Sequence, residues 1–190
     1  MRRMGISTVV RKHFTIDEFQ QIAAAGVFSE DDRFELLEGE IIQMSALGPQ
    51  HAACVDRLNR ILQRMVQDRV IVRVQNPIRL GESSQPQPDI ALVQPREDFY
   101  AGGHPEPEDV LLLVKVSESS LAYDRDVKLP LYARAGIPEV WLVALLPQVV
   151  EVYRAPNEDG YGEKRTLRRG EFIAPIHLPD AELAIEHILG

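Results

Sequence analysis

The segment Val110–Val116 constrains the fold more than any other stretch of the chain, because it is almost continuously apolar. A short run that is apolar on both faces predicts a strand in the middle of a sheet that is covered on both sides. Lys115 interrupts this run with a positive charge. Since an ammonium group is costly to bury without a partner, we expect Lys115 to face a cleft or to pair with a carboxylate.

Two helices are predicted before this strand. Thr15 and Glu18 fit a capping box at the start of the first helix, and Gly26 can close its far end. Apolar residues at helical spacing predict a second helix over Gln50–Asp68. Each of these helices would cover part of a sheet with its apolar face.

A third helix follows the apolar strand and ends at Gly136, ahead of Pro138. Pro130 restricts where this helix can begin, because proline is tolerated only in the first turn. We therefore place its start near Asp126, which puts Lys128 in the opening turn. A lysine there opposes the helix dipole slightly, so a solvated side chain is the simplest interpretation.

The remaining apolar segments predict strands, and Gln94–Asp109, with its three prolines and paired glycines, predicts a loop or a broken element. Helices that interleave with strands of both directions indicate an α/β fold with a mixed central sheet. We expect one domain over residues 1–190, with residues 1–13 as an extended N-terminal segment. The predicted strands are Arg33–Leu37 in a hairpin with Glu40–Met44, Val70–Gln75, Ile78–Leu80, Asp89–Val93, Val140–Leu145 and Val149–Arg154.

Composition narrows the classes of protein that this chain can belong to. Its 190 residues carry a formal net charge of −8, which argues against a protein that coats nucleic acid indiscriminately. No apolar run approaches the roughly 20 residues that cross a bilayer, so no membrane partner is expected. A single cysteine, Cys54, fits a reducing environment, and we expect a cytoplasmic location.

Several enzyme classes lack their characteristic motifs in this sequence. There is no G-x-S-x-G elbow, no Walker loop and no G-x-G-x-x-G, so serine hydrolases, nucleoside triphosphatases and dinucleotide-binding enzymes are disfavoured. The five histidines are scattered without metal-ligand spacing, which argues against a zinc site. His51 stands at the start of the second predicted helix, where a local hydrogen bond is the simplest role.

The acidic residues indicate a candidate site better than the histidines do. Asp89 follows Pro88 at the start of an apolar strand, which places its carboxylate at the rim of the sheet. Glu35 lies in the short apolar segment 34–37. Like Lys115, it is a charged side chain among apolar neighbours, so it should face a cleft or pair with an opposite charge. Structural ion pairs or solvated rim residues would explain these positions without any catalytic role.

Five stretches of the chain, in order, resemble the Uma-type family of restriction endonucleases, a branch of the PD-(D/E)XK nuclease superfamily. These stretches are F-T-I-D-E-F, R-F-E-L-L-E-G-E-I, Q-P-D-I-A-L-V, V-S-E-S-S-L-A-Y-D-R-D-V-K and Y-A-R-A-G-I-P-E-V-W-L-V. They span residues 14 to 143. The resemblance implies a restriction-endonuclease-like core, in which a mixed central sheet is flanked by helices and the site lies at one end of the sheet.

The resemblance also implies roles for four residues. Glu35 would be the early acidic residue and Asp89 the aspartate of the P-D motif, and both would hold Mg²⁺ or Mn²⁺. Lys128 would be the motif's lysine, displaced onto the following helix, with Ser117 at the usual lysine place. The substrate would be the phosphodiester backbone of DNA, and no organic cofactor is implied.

The chain departs from the family pattern at position 115, where the family has glutamate and this sequence has Lys115. An ammonium there removes a metal ligand and adds a repulsive charge, so metal affinity should fall sharply. Two hypotheses follow. The chain is either a divalent-metal-dependent DNA endonuclease with an impaired site, or a catalytically inactive binding or regulatory module on the same fold.

Contacts with DNA would need positive charge, which two places supply. Arg57, Arg60 and Arg64 form a stripe along the second predicted helix, and a late cluster contains Lys164, Arg165, Arg168 and Arg169. Solvated faces would explain both. Superfamily nucleases often dimerise to cut two strands, so a homodimer is a further expectation.

Overall fold

The computed structural model describes residues 10–29 and 32–190. Most of the extended segment predicted over residues 1–13 therefore lies outside the described residues. Helices occupy α1 (Ile16–Ala24), α2 (Pro49–Val66), α3 (Leu121–Tyr123), α4 (Leu129–Arg134) and α5 (Ile185–Leu189). Strands occupy β1 (Phe34–Leu37), β2 (Glu40–Gln43), β3 (Ile71–Val74), β4 (Ile90–Val93), β5 (Val110–Ser117), β6 (Glu139–Ala144), β7 (Val149–Asn157), β8 (Gly160–Leu167), β9 (Phe172–Ile173) and β10 (Leu183–Ala184).

Six of the strands form one sheet in the order β3-β4-β5-β6-β7-β8. Only β5 and β6 run parallel, and the other neighbours in this sheet are antiparallel. The predicted mixed sheet is confirmed, and β5 lies in its interior as its continuous apolar pattern indicated. Two further antiparallel pairs, β1-β2 and β9-β10, lie outside this sheet.

Both faces of the sheet are covered by apolar layers. On one face, α2 and α5 pack through residues such as Leu58 and Ile188 against Leu112 and Trp141 of the sheet. On the other face, α4 packs through Tyr132 against strand residues such as Leu113 of β5. Because successive strand residues alternate between faces, Lys115 belongs to the same face as Leu113.

The helix α1 and the β1-β2 hairpin form as predicted. Thr15 accepts a hydrogen bond from the backbone of Glu18, and the Glu18 carboxylate accepts one from the Thr15 backbone, which completes the capping box. Glu38 and Gly39 both have positive φ at the turn of the hairpin. The backbone N–H of Gln85 donates to the carbonyl of Leu36 at 2.7 Å, which joins β1, and with it Glu35, to the segment before β4.

The third helical stretch begins earlier than predicted, at Leu121 rather than near Asp126. Between α3 and α4 the chain is a π-helix over Asp124–Lys128, in which the backbone N–H of Leu129 bonds to the carbonyl of Asp124. Pro130 has no N–H to donate, and the widened turn lets the helix continue past it. Lys128 therefore lies in mid-helix rather than in an opening turn.

The prediction of a strand over Ile78–Leu80 is wrong. The N–H groups of these three residues donate to carbonyls of three separate residues, Pro86, Pro105 and Ser84, so no ladder forms. Only an isolated bridge joins Leu80 to Ser84. Among the described residues, no helix is both long enough and apolar enough to cross a lipid bilayer.

Candidate active site

A cleft of about 360 Å³ lies at the end of the sheet where β4 begins and β5 ends. It brings together all four residues to which the resemblance assigned roles: Glu35, Asp89, Lys115 and Lys128. These residues come from β1, from the residue before β4, from β5 and from the π-helix. Segments far apart in the chain thus converge on one polar cleft.

The ammonium of Lys115 is paired directly with the carboxylate of Asp89. The antiparallel register aligns Ile90 with Val114, so the next residues of the two strands, Asp89 and Lys115, are cross-strand neighbours. Lys115 Nζ donates to Asp89 Oδ2 at 2.8 Å. Burial by itself lowers the pKa of Lys115, but the charges of Asp89 and Asp124 outweigh it and raise the pKa. Lys115 is therefore a cation in this cleft.

Both oxygens of Asp89 are engaged by the protein itself. The backbone N–H of Val116 donates to Oδ2 at 2.8 Å, and His51 Nε2 lies 3.0 Å from Oδ1. Burial raises the pKa of Asp89, but the contact with His51 and the charge of Lys115 outweigh it and hold the pKa well below its usual value. Asp89 is therefore an ionised carboxylate that accepts hydrogen bonds from Lys115 and Val116 and lies against the ring of His51.

Glu35 forms the second ion pair of the cleft, with Lys128. Lys128 Nζ lies 2.7 Å from Glu35 Oε1 and 2.9 Å from Oε2. The backbone N–H of Gln87 also donates to Oε2 at 3.2 Å. Side-chain exposure is only 4% for Lys128 and 1% for Glu35, so this pair is sealed from solvent.

Asp124 is a third carboxylate of the cleft that sequence reasoning did not single out. It is buried, it accepts a hydrogen bond from Ser120 at 2.6 Å on Oδ2, and its Oδ1 has no hydrogen-bonding partner among the described residues. Its place four residues after Ser120 and four before Lys128 would align the three on one helix face. The misplaced start of the third helix hid this pattern.

The π-helix that carries Asp124 and Lys128 is anchored to the sheet by Arg125. Its guanidinium donates two hydrogen bonds to the buried Glu151 of β7, at 2.7 and 2.8 Å. Tyr153 donates to the same carboxylate at 2.7 Å, and Lys164 lies 3.0 Å from it. Burial raises the pKa of Glu151, but these hydrogen bonds outweigh it and lower the pKa to about 2.

We expect Glu151→Gln to reduce stability in a pH-dependent way. A carboxyl with a lowered pKa in the folded state stabilises the protein above its ordinary pKa of 4.5, and this stabilisation is lost as the pH falls toward about 2. In urea unfolding, the gap in free energy between wild type and variant should be full at neutral pH and shrink over that acidic range. Glu158→Gln, at an exposed position, is the control. A gap that is constant with pH would contradict the assignment.

The two carboxylates to which the resemblance assigned metal binding, Asp89 and Glu35, do not fit a resident divalent cation. Every oxygen of Asp89 and Glu35 already contacts an ammonium group, a histidine ring or a backbone N–H. No group of three or more potential metal-ligating side chains is clustered within residues 10–29 and 32–190. Magnesium and manganese favour carboxylate oxygens that are free to coordinate, and these two carboxylates are committed to lysines.

The basic residues proposed for DNA contacts differ in their surroundings. Arg57 donates to the carbonyl of Leu189 at 2.8 Å, so it holds the end of α5 against α2. Arg60 and Arg64 are exposed on α2. In the late cluster, Lys164 contacts Glu151 and Arg169 donates to Gln148 at 2.8 Å. The exposed stripe on α2 is therefore reduced to two arginines.

Comparisons with known proteins agree with this fold. The family model Uma2, described as a putative restriction endonuclease, matches residues 16–186. The structure is similar to that of a putative nuclease belonging to DUF820 from Anabaena variabilis, with a TM-score of 0.71 and 18% sequence identity. That similarity covers 93% of this chain and 97% of the other. No curated protein matches the chain.

Proposed function

Because the chain belongs to the Uma2 family, we propose that it is a nuclease-fold protein that binds DNA with a phosphodiester in the cleft, and that its metal-dependent hydrolysis is impaired. The observation that carries this proposal is the 2.8 Å contact between Lys115 and Asp89. A nuclease-type site with this pair keeps a place for a phosphate group. It does not keep the free carboxylates that such hydrolysis needs.

Charge explains why hydrolysis would be impaired. In nuclease sites, carboxylates hold a hard cation that activates water and neutralises charge on the phosphorus. In this chain, Lys115 neutralises Asp89 and Lys128 neutralises Glu35. An approaching divalent cation would have to displace an ammonium from a carboxylate that is itself held in place.

Contacts with the DNA backbone are proposed for the exposed arginines of α2. Arg60 and Arg64 lie together on the exposed face of α2, while His51 in the first turn of the same helix is buried at the cleft on its other face. A net charge of −8 does not oppose such binding, because only a local basic patch has to contact phosphate. Arg57 contributes less, since it is bound to the chain end.

The test of this proposal is the salt dependence of binding to a labelled DNA duplex. We expect the wild type to bind, with an affinity that falls steeply as salt rises. The variant Arg60→Ser/Arg64→Ser should lose about 2 units from the slope of log affinity against log salt, because each phosphate contact contributes about 0.9. Arg11→Ser is a control away from α2. An unchanged slope would remove the two arginines from the interface, and absence of binding would overturn the proposal.

A second candidate function is an active endonuclease that depends on Mg²⁺ or Mn²⁺. The observation that favours it is Asp124, which adds to the cleft a third carboxylate with one oxygen that no described residue hydrogen-bonds. It requires nicking of plasmid DNA that appears only with one of the two metals and that Asp89→Ala abolishes. Plasmid that stays intact with both metals would exclude this candidate. Two-strand cleavage would need a second site, so the homodimer stays a prediction.

A further inference from the structure

The two lysines of the cleft are not equivalent. Lys128 contacts both oxygens of Glu35, and only 4% of its side chain is exposed. Lys115 contacts one oxygen of Asp89, and 13% of its side chain is exposed toward the cleft. An ammonium has three N–H donors, so Lys115 keeps donors that no hydrogen bond within residues 10–29 and 32–190 uses. Lys115 is therefore the ammonium that a molecule in the cleft can reach.

We propose that Lys115 is a built-in cation that holds a phosphodiester oxygen in place of a divalent metal. This inference rests on the proposed function. It adds that Lys115 is the residue that contacts the phosphate and that this contact needs no metal. The ammonium is fixed at Asp89, which is in turn held by Val116 and His51. A cation that is positioned before binding loses little freedom when the phosphate arrives.

Arg33 supplies a second positive charge at the same cleft. Its guanidinium donates to the side chain of Gln87 at 3.0 Å and keeps further donors, because a guanidinium carries five. Arg33 is only partly buried, so its loss should not disturb the core. A phosphate in the cleft would thus have N–H donors from both Lys115 and Arg33. Lys128, which is sealed against Glu35, has a structural role in this arrangement.

The experiment measures fluorescence anisotropy of a labelled DNA duplex in EDTA and again in Mg²⁺ at matched ionic strength. We expect the wild type to bind in EDTA and to bind no more tightly in Mg²⁺, which itself competes for the DNA phosphates. Lys115→Met should weaken binding about tenfold or more, since it removes a charge-assisted hydrogen bond to phosphate. Arg33→Gln should weaken it as well, and it tests the same cleft if Lys115→Met folds poorly. Lys12→Met, at an exposed lysine paired with Glu18, should not change it.

Each outcome decides a separate point. Wild-type binding that strengthens in Mg²⁺ would show that the cleft takes a metal and would overturn the inference. Binding that survives both Lys115→Met and Arg33→Gln would also overturn it, while the proposed function would stand on the contacts of α2. A wild type that does not bind DNA in either buffer would overturn the proposed function and this inference with it.

Discussion

Replacing Lys115 with glutamate is expected to turn the cleft into a site that binds divalent cations. The substitution changes the net formal charge of the five charged side chains Glu35, Asp89, Lys115, Asp124 and Lys128 from −1 to −3. It also frees Asp89 from its ammonium. With Mn²⁺ at about 100 times its dissociation constant, the midpoint of thermal unfolding should rise by about 5–10 °C. The measurement is thermal unfolding with and without Mn²⁺.

Three controls isolate the effect of this substitution. The wild type should show no stabilisation by Mn²⁺. Lys12→Glu should behave like the wild type, although it changes the total charge by the same amount as Lys115→Glu. Adding Asp89→Asn to Lys115→Glu should remove the gain, because Asp89 is needed as a ligand. Equal stabilisation of wild type and Lys115→Glu would contradict the view that Lys115 keeps metal out.

Lys128→Met is expected to cause the largest loss of stability among substitutions in the cleft. It leaves the Glu35 carboxylate, whose side chain is 1% exposed, without the ammonium with which it is paired. Breaking a buried ion pair by removal of one partner costs about 3–5 kcal/mol. The free energy of unfolding, measured by urea denaturation at neutral pH, should fall by this amount.

A double variant separates the ion pair from the packing of the lysine chain. Lys128→Met combined with Glu35→Gln removes both charges, so it should be clearly more stable than Lys128→Met alone. If the double variant were the less stable of the two, the loss would come from packing rather than from an uncompensated carboxylate. A loss below about 1 kcal/mol in the single variant, the scale of an exposed pair, would contradict the sealed geometry.

Local patterns were sufficient to predict most of the fold. The capping box at Thr15 and Glu18 and the turn at Glu38 and Gly39 depend on neighbours in the sequence, so they could be identified from the sequence alone. The continuous apolar run around Lys115 likewise predicted an interior strand. The error at the third helix came from Pro130, whose position in mid-helix depends on a widened turn that no sequence pattern revealed.

The candidate site was predicted in part. That Lys115 would find a carboxylate followed from the cost of burying an ammonium, and the register of two strands supplied Asp89 as its partner. The sequence alone could not show that His51 would lie 3.0 Å from the same carboxylate, because that contact depends on how α2 packs on the sheet. Asp124 was missed for a similar reason, since its direction depends on the π-helix.

The central claim is that Lys115 occupies the place of a divalent cation at Asp89. Calorimetric titration of Mn²⁺ into the unmodified protein, with and without a short DNA duplex, tests it most directly. We predict no saturable heat of binding for the protein alone, and none beyond that of the duplex alone when DNA is present. Saturable binding of Mn²⁺ by the wild type that is lost in Asp89→Asn would contradict the claim.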